Sequence, residues 1–271
     1  MAPTVRLLAN AGATIGESPL WLGDAILWTD PVARRLLRFG GRSTLETIAV
    51  DRSLWSLAAL PDGVTAGTFD KGFCTIDPSG VITPGPVARL DPGCRFNDMT
   101  TDASGGLWAG VMHRGILATR GAIYHAVSPD VAARRVAEGL GVPNGMKVSA
   151  DGRTLHVIDT LARTLLAYPI IQEGLGEPVI VSDFLGLAGK PDGMTIAADG
   201  SFWVAMWGGG SVVQLAADGA TLREIAVPAS HVGSLCFAAP DRLLVTTSRM
   251  RLSPQALADH PGSGGLFEVR L

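Results

Sequence analysis

Cysteine is scarce. Cys74, Cys94 and Cys236 are the only three in 271 residues. An odd number without Cys-x-x-Cys spacing supplies neither a disulfide framework nor a structural zinc site, so buried free thiols in a reducing cytoplasm are expected. Charge is scarce too, at 17% of residues with a net charge of −3. That excludes the basic footprint of a nucleic-acid binder and any charged tail. No apolar run approaches the roughly 18 residues of a membrane span. The opening "MAPTVRLLANAGATIGESPLW" lacks the charged start and long apolar centre of a signal peptide. No long stretch carries a 3.6-residue period; "SPQALADH" (253–260) offers at most one helical turn. The five histidines, His113, His125, His156, His231 and His260, have no His-x-x-x-His spacing, and none is assigned to a metal. Asparagine is down to Asn10, Asn97 and Asn144, which raises the question of what those few amides are for.

Glycine (34) and proline (17) are plentiful, and 47% of residues are apolar. Low charge with many turn formers predicts a sizeable core and many short elements. The chain repeats itself. "NDMTTDASGGLWAGVM" from Asn97, "NGMKVSADGRTLHVID" from Asn144 and "DGMTIAADGSFWVAMW" from Asp192 superpose at intervals of about 48 residues. Each reads as a strand, a Ser-Gly or Asp-Gly turn, and a second apolar strand. Weaker copies begin at Glu17 ("ESPLWLGDAILWTD"), Ser53 ("SLWSLAALPDGVTAGTF") and Ser234 ("SLCFAAPDRLLVTTS"), which makes six. Outer hairpins such as "GAIYHAVSPDVAARRVA" and "SVVQLAADGATLREIAV" follow. The expectation is an all-β, six-bladed β-propeller forming one domain over residues 1–271. The N-terminal "VRLLANA" would complete the last blade beside "GGLFEVRL", hiding the sheet edge.

In a propeller the first strand of each blade lines the central channel, so equivalent positions form a ring. Glu17, Asn97, Asn144 and Asp192 share that phase at the start of their strands. Asn-Gly and Asp-Gly are also good turn formers, and any one of them alone reads as a turn. Glu17 gains nothing from turn chemistry, and the four together point to a shared site. Two carboxylates with amide oxygens suit a hard cation, Ca²⁺, Mg²⁺ or Mn²⁺ ahead of Zn²⁺ or Fe²⁺.

Four motifs, "GESPLW" (16–21), "RFNDMTTDASGGLWAGVM" (95–112), "PNGMKVSADG" (143–152) and "KPDGMTIAADGSFWVAMWGG" (190–209), resemble the senescence marker protein/gluconolactonase family, which includes regucalcin. The tail "TTSRMRLSPQALADHPGSGGLFEV" is similar to its bacterial sugar-lactonase branch. The resemblance runs over nearly the whole chain. It implies a six-bladed propeller binding one divalent metal. Glu17, Asn144 and Asp192 match the metal ligands, Asp192 matches the general base as well, and Arg95 and Asn97 match residues that contact substrate. The implied activity is hydrolysis of a sugar lactone, with a small-molecule partner and neither nucleic acid nor membrane. The segment Met112–His125 and Lys147 depart from the family pattern. Rival readings are a phosphotriesterase of the diisopropylfluorophosphatase type, a metal-free strictosidine synthase-like propeller, and a non-catalytic calcium-binding propeller.

Overall fold

A computed structural model describes residues 2–40 and 43–271. They fall into two compact units, Met1–Ala49 with Gly186–Leu271, and Val50–Leu185. Strand β1 is Thr4–Ala9. In the first unit β2 (Glu17–Trp21), β3 (Ala25–Asp30), β4 (Arg35–Gly40) and β5 (Thr44–Ala49) form one antiparallel sheet in sequence order. The second unit holds three such sheets. The first is β6 (Ser56–Ala59), β7 (Thr65–Phe69), β8 (Gly72–Ile76) and β9 (Ile82–Pro84). Next come β10 (Cys94–Thr101), β11 (Leu107–His113), β12 (Gly121–Ala126) and β13 (Arg134–Leu140). The third is β14 (Pro143–Val148), β15 (Thr154–Asp159) and β16 (Thr164–Ile171), with β17 (Gly174–Leu175) and β18 (Val179–Asp183) both on β16.

Back in the first unit, β19 (Lys190–Ile196), β20 (Phe202–Trp207), β21 (Ser211–Leu215) and β22 (Thr221–Ala226) form one ladder. Strands β23 (His231–Ala239), β24 (Arg242–Ser248) and β25 (Leu266–Arg270) form another, closed by β1. A single residue pair, Trp207 with His231, joins the two ladders. The expected closing strand is therefore present: β1 runs antiparallel to β25 with Val5 opposite Val269 and Leu7 opposite Phe267. The one helix among the described residues, α1 (Pro254–Asp259), falls on "SPQALADH"; Ser253 caps it by accepting from the Ala256 N–H.

The hairpin tips follow local chemistry. Asp102 accepts from the Ser104 and Gly106 N–H groups at 2.9 Å each and from Ser104 Oγ at 2.6 Å. Gly105 between them takes φ +89°, open to glycine without strain. Asp77 with Ser79 and Asp199 with Ser201 repeat the arrangement. Burial is graded across each sheet. All six residues of β3 are buried, whereas the outermost β5 and β22 are largely exposed. The architecture is all-β, made of four-stranded ladders as in a β-propeller. Among the described residues no helix is long and apolar enough to cross a membrane. Cys74 and Cys94 are buried and Cys236 half-buried, and none of the three is in a disulfide; burial pushes the Cys74 thiol up to about 12.

Candidate active site

The first strand of five repeats breaks register at the same place. The shift lies between Glu17 and Leu20 on β2, Phe96 and Met99 on β10, Asn144 and Met146 on β14, Pro191 and Met194 on β19, and Val232 and Ser234 on β23. A bulge leaves its extra residue out of the ladder and re-aims the side chain. Glu17, Asn97, Asn144 and Asp192 all lie in or beside these bulges. This corrects the turn reading: Asn-Gly and Asp-Gly here interrupt a strand rather than connect two. It also shifts two boundaries, since Asn97 is the fourth residue of β10 and Asp192 the third of β19 rather than their starts. Ser18 (φ +48°) and Gly145 (φ +29°) carry the unusual backbone.

In the first unit, β23 packs against both β2 and β19. A Cβ added at Gly233 would lie 3.6 Å from Glu17 Oε1, and one added at Gly193 would lie 2.4 Å from Ser234 Oγ. Two acidic strands thus approach one central strand, which glycine permits by having no side chain. Asp192 is buried and Glu17 half-buried. The loop entering β2 is held by Asp30 at the end of β3. Its carboxylate accepts from the Thr14 N–H at 2.9 Å and the Ile15 N–H at 3.3 Å, and pairs with Arg35 at 3.1 Å. Trp207 and His231 stack nearby, ring centroids 4.5 Å apart, and burial lowers the His231 pKa. Trp21 sits at the far end of β2 in a pocket with Phe39 and Arg242, a packing role.

In the second unit Arg95 and Asn97 meet. Arg95 Nη1 donates to Asn97 Oδ1 at 2.8 Å and to the Phe96 carbonyl at 2.7 Å. Asn97 Nδ2 donates to the Pro143 carbonyl at 3.1 Å, next to Asn144. Asn144 Nδ2 points to Thr160 Oγ1 at 3.3 Å, which turns its amide oxygen the other way. Asp159 holds the loop entering β14, accepting from the Gly141 and Val142 N–H groups at 2.7 and 3.1 Å, as Asp30 does for β2. Sequence reasoning passed over Trp55, whose ring lies 3.4 Å beneath the Arg95 guanidinium carbon. Trp55 Nε1 donates to Asp70 Oδ1 at 2.8 Å, and Asp70 pairs with Arg114 at 2.8 Å. Partial burial works against ionisation of Asp70, but the Trp55 and Arg114 hydrogen bonds outweigh it and hold the carboxyl below its usual range. The signal was in the repeat: Trp55 stands two residues before Leu57, as Asn97, Asn144 and Asp192 stand two before Met99, Met146 and Met194.

Among the described residues no three His, Cys, Asp or Glu side chains converge to hold a metal. The expected ligands include only two acids, with an amide as the third. All three offer oxygen, and that donor chemistry fits a hard divalent cation.

Residues 15–249 match the model of the SMP-30/gluconolactonase/LRE-like region. The chain belongs to that family. Similar members include a 6-deoxy-6-sulfogluconolactonase of Pseudomonas putida, 28% identical over 100% of this chain and 96% of the relative. A pentonolactonase, XacC, of Haloferax volcanii is 31% identical over 90% of this chain and 85% of its own. Among solved structures, a regucalcin of Agrobacterium tumefaciens, described as a calcium-binding protein, superposes with a TM-score of 0.87. It is 29% identical, covering 98% of this chain and 92% of its own. As a family member the chain has lactonase-named relatives along nearly its whole length, in line with the motifs at Glu17, Arg95, Asn144 and Asp192.

Proposed function

We propose that the protein hydrolyses a sugar (aldono) lactone to its aldonic acid, using one divalent metal ion held by Glu17, Asn144 and Asp192. Residues 1–271 then form a single six-bladed propeller, a reading supported by six antiparallel ladders of four or five strands among the described residues and by closure of the last through β1. The observation that carries the activity is the recurrent bulge, which places Glu17, Asn97, Asn144 and Asp192 at one phase of the repeat in a chain whose relatives are named lactonases.

When bound, the ion would polarise the lactone carbonyl and stabilise charge developing on its oxygen. The chain's own groups do the rest. Arg95 and Asn97 hold substrate hydroxyls through their donors. Asp192 takes the proton from the attacking water, a role worth roughly 10²–10⁴-fold. Water oxygen bonds to the carbonyl carbon, the ring C–O bond breaks, and the former ring oxygen leaves as a hydroxyl by taking the proton that Asp192 holds, which restores the base. The new carboxylic acid then ionises and releases a proton. Small, hydroxyl-rich rings suit a cation, an amide and a guanidinium, whereas a long acyl chain finds no evident platform.

The description of the Agrobacterium regucalcin as calcium-binding favours one second reading, a non-catalytic calcium-binding propeller. The same experiment separates them. Aldonolactones of five- and six-carbon sugars are followed in a pH-stat above the spontaneous blank, with Ca²⁺, Mg²⁺, Mn²⁺, Zn²⁺ or Fe²⁺ added after exhaustive chelation. Chelation is expected to abolish the enzyme-dependent rate and lower the Tm, and one of the ions to restore both, because binding to the folded state alone stabilises it. Undiminished activity in metal-free protein would refute the metal. No lactone opened, with phosphotriesters hydrolysed well, would move the assignment to a phosphotriesterase.

A further inference from the structure

The repeat holds a fifth position of the same phase, and it is aromatic. Asn97, Asn144 and Asp192 stand two residues before Met99, Met146 and Met194, and each methionine stands six before a turn glycine, Gly105, Gly152 or Gly200. In the β6 repeat Leu57 stands six before Gly63, and two before Leu57 is Trp55. The acid that ends the second strand is redirected in this repeat. Asp30 and Asp159 both accept from the backbone N–H groups of the loop entering the first strand, Asp30 while also pairing with Arg35. Asp70, just after β7, instead takes the indole N–H of Trp55 on one oxygen and Arg114 on the other.

We propose that Trp55 is the positioning residue for Arg95, with its ring fixed by Asp70 and Arg114. The proposal rests on the reading of Arg95 as a substrate-binding group. Two oxygens of one carboxylate, engaged by two different side chains, fix where the indole lies. The guanidinium carbon of Arg95 sits 3.4 Å from the ring centre, within the range of a stacked cation–π pair. Hydrogen bonds to Asn97 and the Phe96 carbonyl fix its direction in the plane of the stack. A free arginine loses much rotamer freedom when it grips a ligand; one already stacked and hydrogen-bonded loses less. The benefit is therefore to binding, present equally in the ground state and the transition state. It belongs in KM rather than kcat. Without the ring, Arg95 keeps its charge, but the hydrogen-bonded rotamer loses its stack and competes with rotamers that break those bonds.

The test compares Trp55→Leu, Trp55→Phe, Arg95→Ala and the Trp55→Leu/Arg95→Ala double variant on the best lactone. Trp55→Leu is expected to raise KM about tenfold, the order of a cation–π pair, with kcat within about twofold of wild type. Trp55→Phe, which keeps a ring face, should recover most of the loss. In the double variant Trp55→Leu should add nothing to Arg95→Ala, since it acts only through that residue. The stack is also read without substrate: the Arg95 side-chain N–H resonance should lie upfield in the wild type, shielded by the indole, and move downfield in Trp55→Leu. Unchanged KM in a folded Trp55→Leu, KM effects that multiply independently in the double variant, or an unmoved Arg95 resonance would each overturn the proposal. A wild type that opens no sugar lactone refutes the lactonase reading and this inference with it. Independent KM effects in an active wild type refute the inference alone.

Discussion

Gly193→Ala adds one methyl group beside Asp192, and the structure says where it would go. The new Cβ would stand 2.4 Å from Ser234 Oγ and 2.7 Å from Ser234 Cα. The hydroxyl can rotate away, but the Cα is backbone of β23 and has to move. Forcing a methyl group into such a contact costs about 1–3 kcal/mol, or roughly 3–10 °C in Tm at this chain length. The strain has a second readout, because relief comes either from shifting β23, next to Glu17, or from shifting the bulge that carries Asp192. A displacement near 1 Å at a catalytic group can cost about 10²-fold in rate, so kcat should fall more than stability alone explains. Gly186→Ala is the control: nothing lies within 4 Å of its added Cβ and its φ is not left-handed, so its stability should change by less than about 1 kcal/mol. Thermal unfolding followed by far-UV circular dichroism and lactone turnover below the transition read both effects. Gly193→Ala with the Tm and kcat of the Gly186→Ala control would refute the close approach of β19 to β23.

On the proposed mechanism Asp192→Asn keeps an oxygen for a metal but loses the proposed base, so kcat should fall at least ~10²-fold while metal-dependent protection against heat survives in part; near wild-type turnover would transfer the base to another group. Glu268 on β25 offers a stability prediction away from the site. Burial alone would raise its pKa, but Arg242, bonded at 2.5 Å, with Arg270 and Arg6, outweighs that and lowers it. A depressed carboxylate stabilises the fold above its unfolded value, near 4.3, and that contribution disappears as pH falls through the folded value. Glu268→Gln should therefore cost about 1–3 kcal/mol at pH 7 and progressively less below about pH 4; urea titrations with a pH-independent difference would contradict the pairing.

Local signals in the chain reach their targets because hairpins are made by neighbours. Asp102-Ala-Ser-Gly and Asp199-Gly-Ser fold their own tips, and the continuous apolar runs "LWAGVMH" and "FWVAMW" announce buried strands that pair with their sequence neighbours. The repeat phase of Asn97, Asn144 and Asp192 was legible for the same reason, as was the β1 strand, whose apolar run has to find an edge. Trp55 was passed over although it shares that phase, because an indole reads as core until its partners are known. Asp70 lies 15 residues away and Arg114 still further, and no local pattern announces either.

The sequence alone determined the all-β plan, the hairpin turns, the closing strand and the helical turn within 253–260, each a property of residues close together along the chain or of an edge needing a partner. Only the tertiary structure decided that the candidate site residues sit on or beside bulges, that Gly193 and Gly233 are spaces against neighbouring strands, and that Arg95 rests on Trp55. Those features depend on register and on contacts between strands tens of residues apart. A one-residue slip in pairing leaves the hydrophobic pattern of a single segment unchanged while sending its side chains to the opposite face.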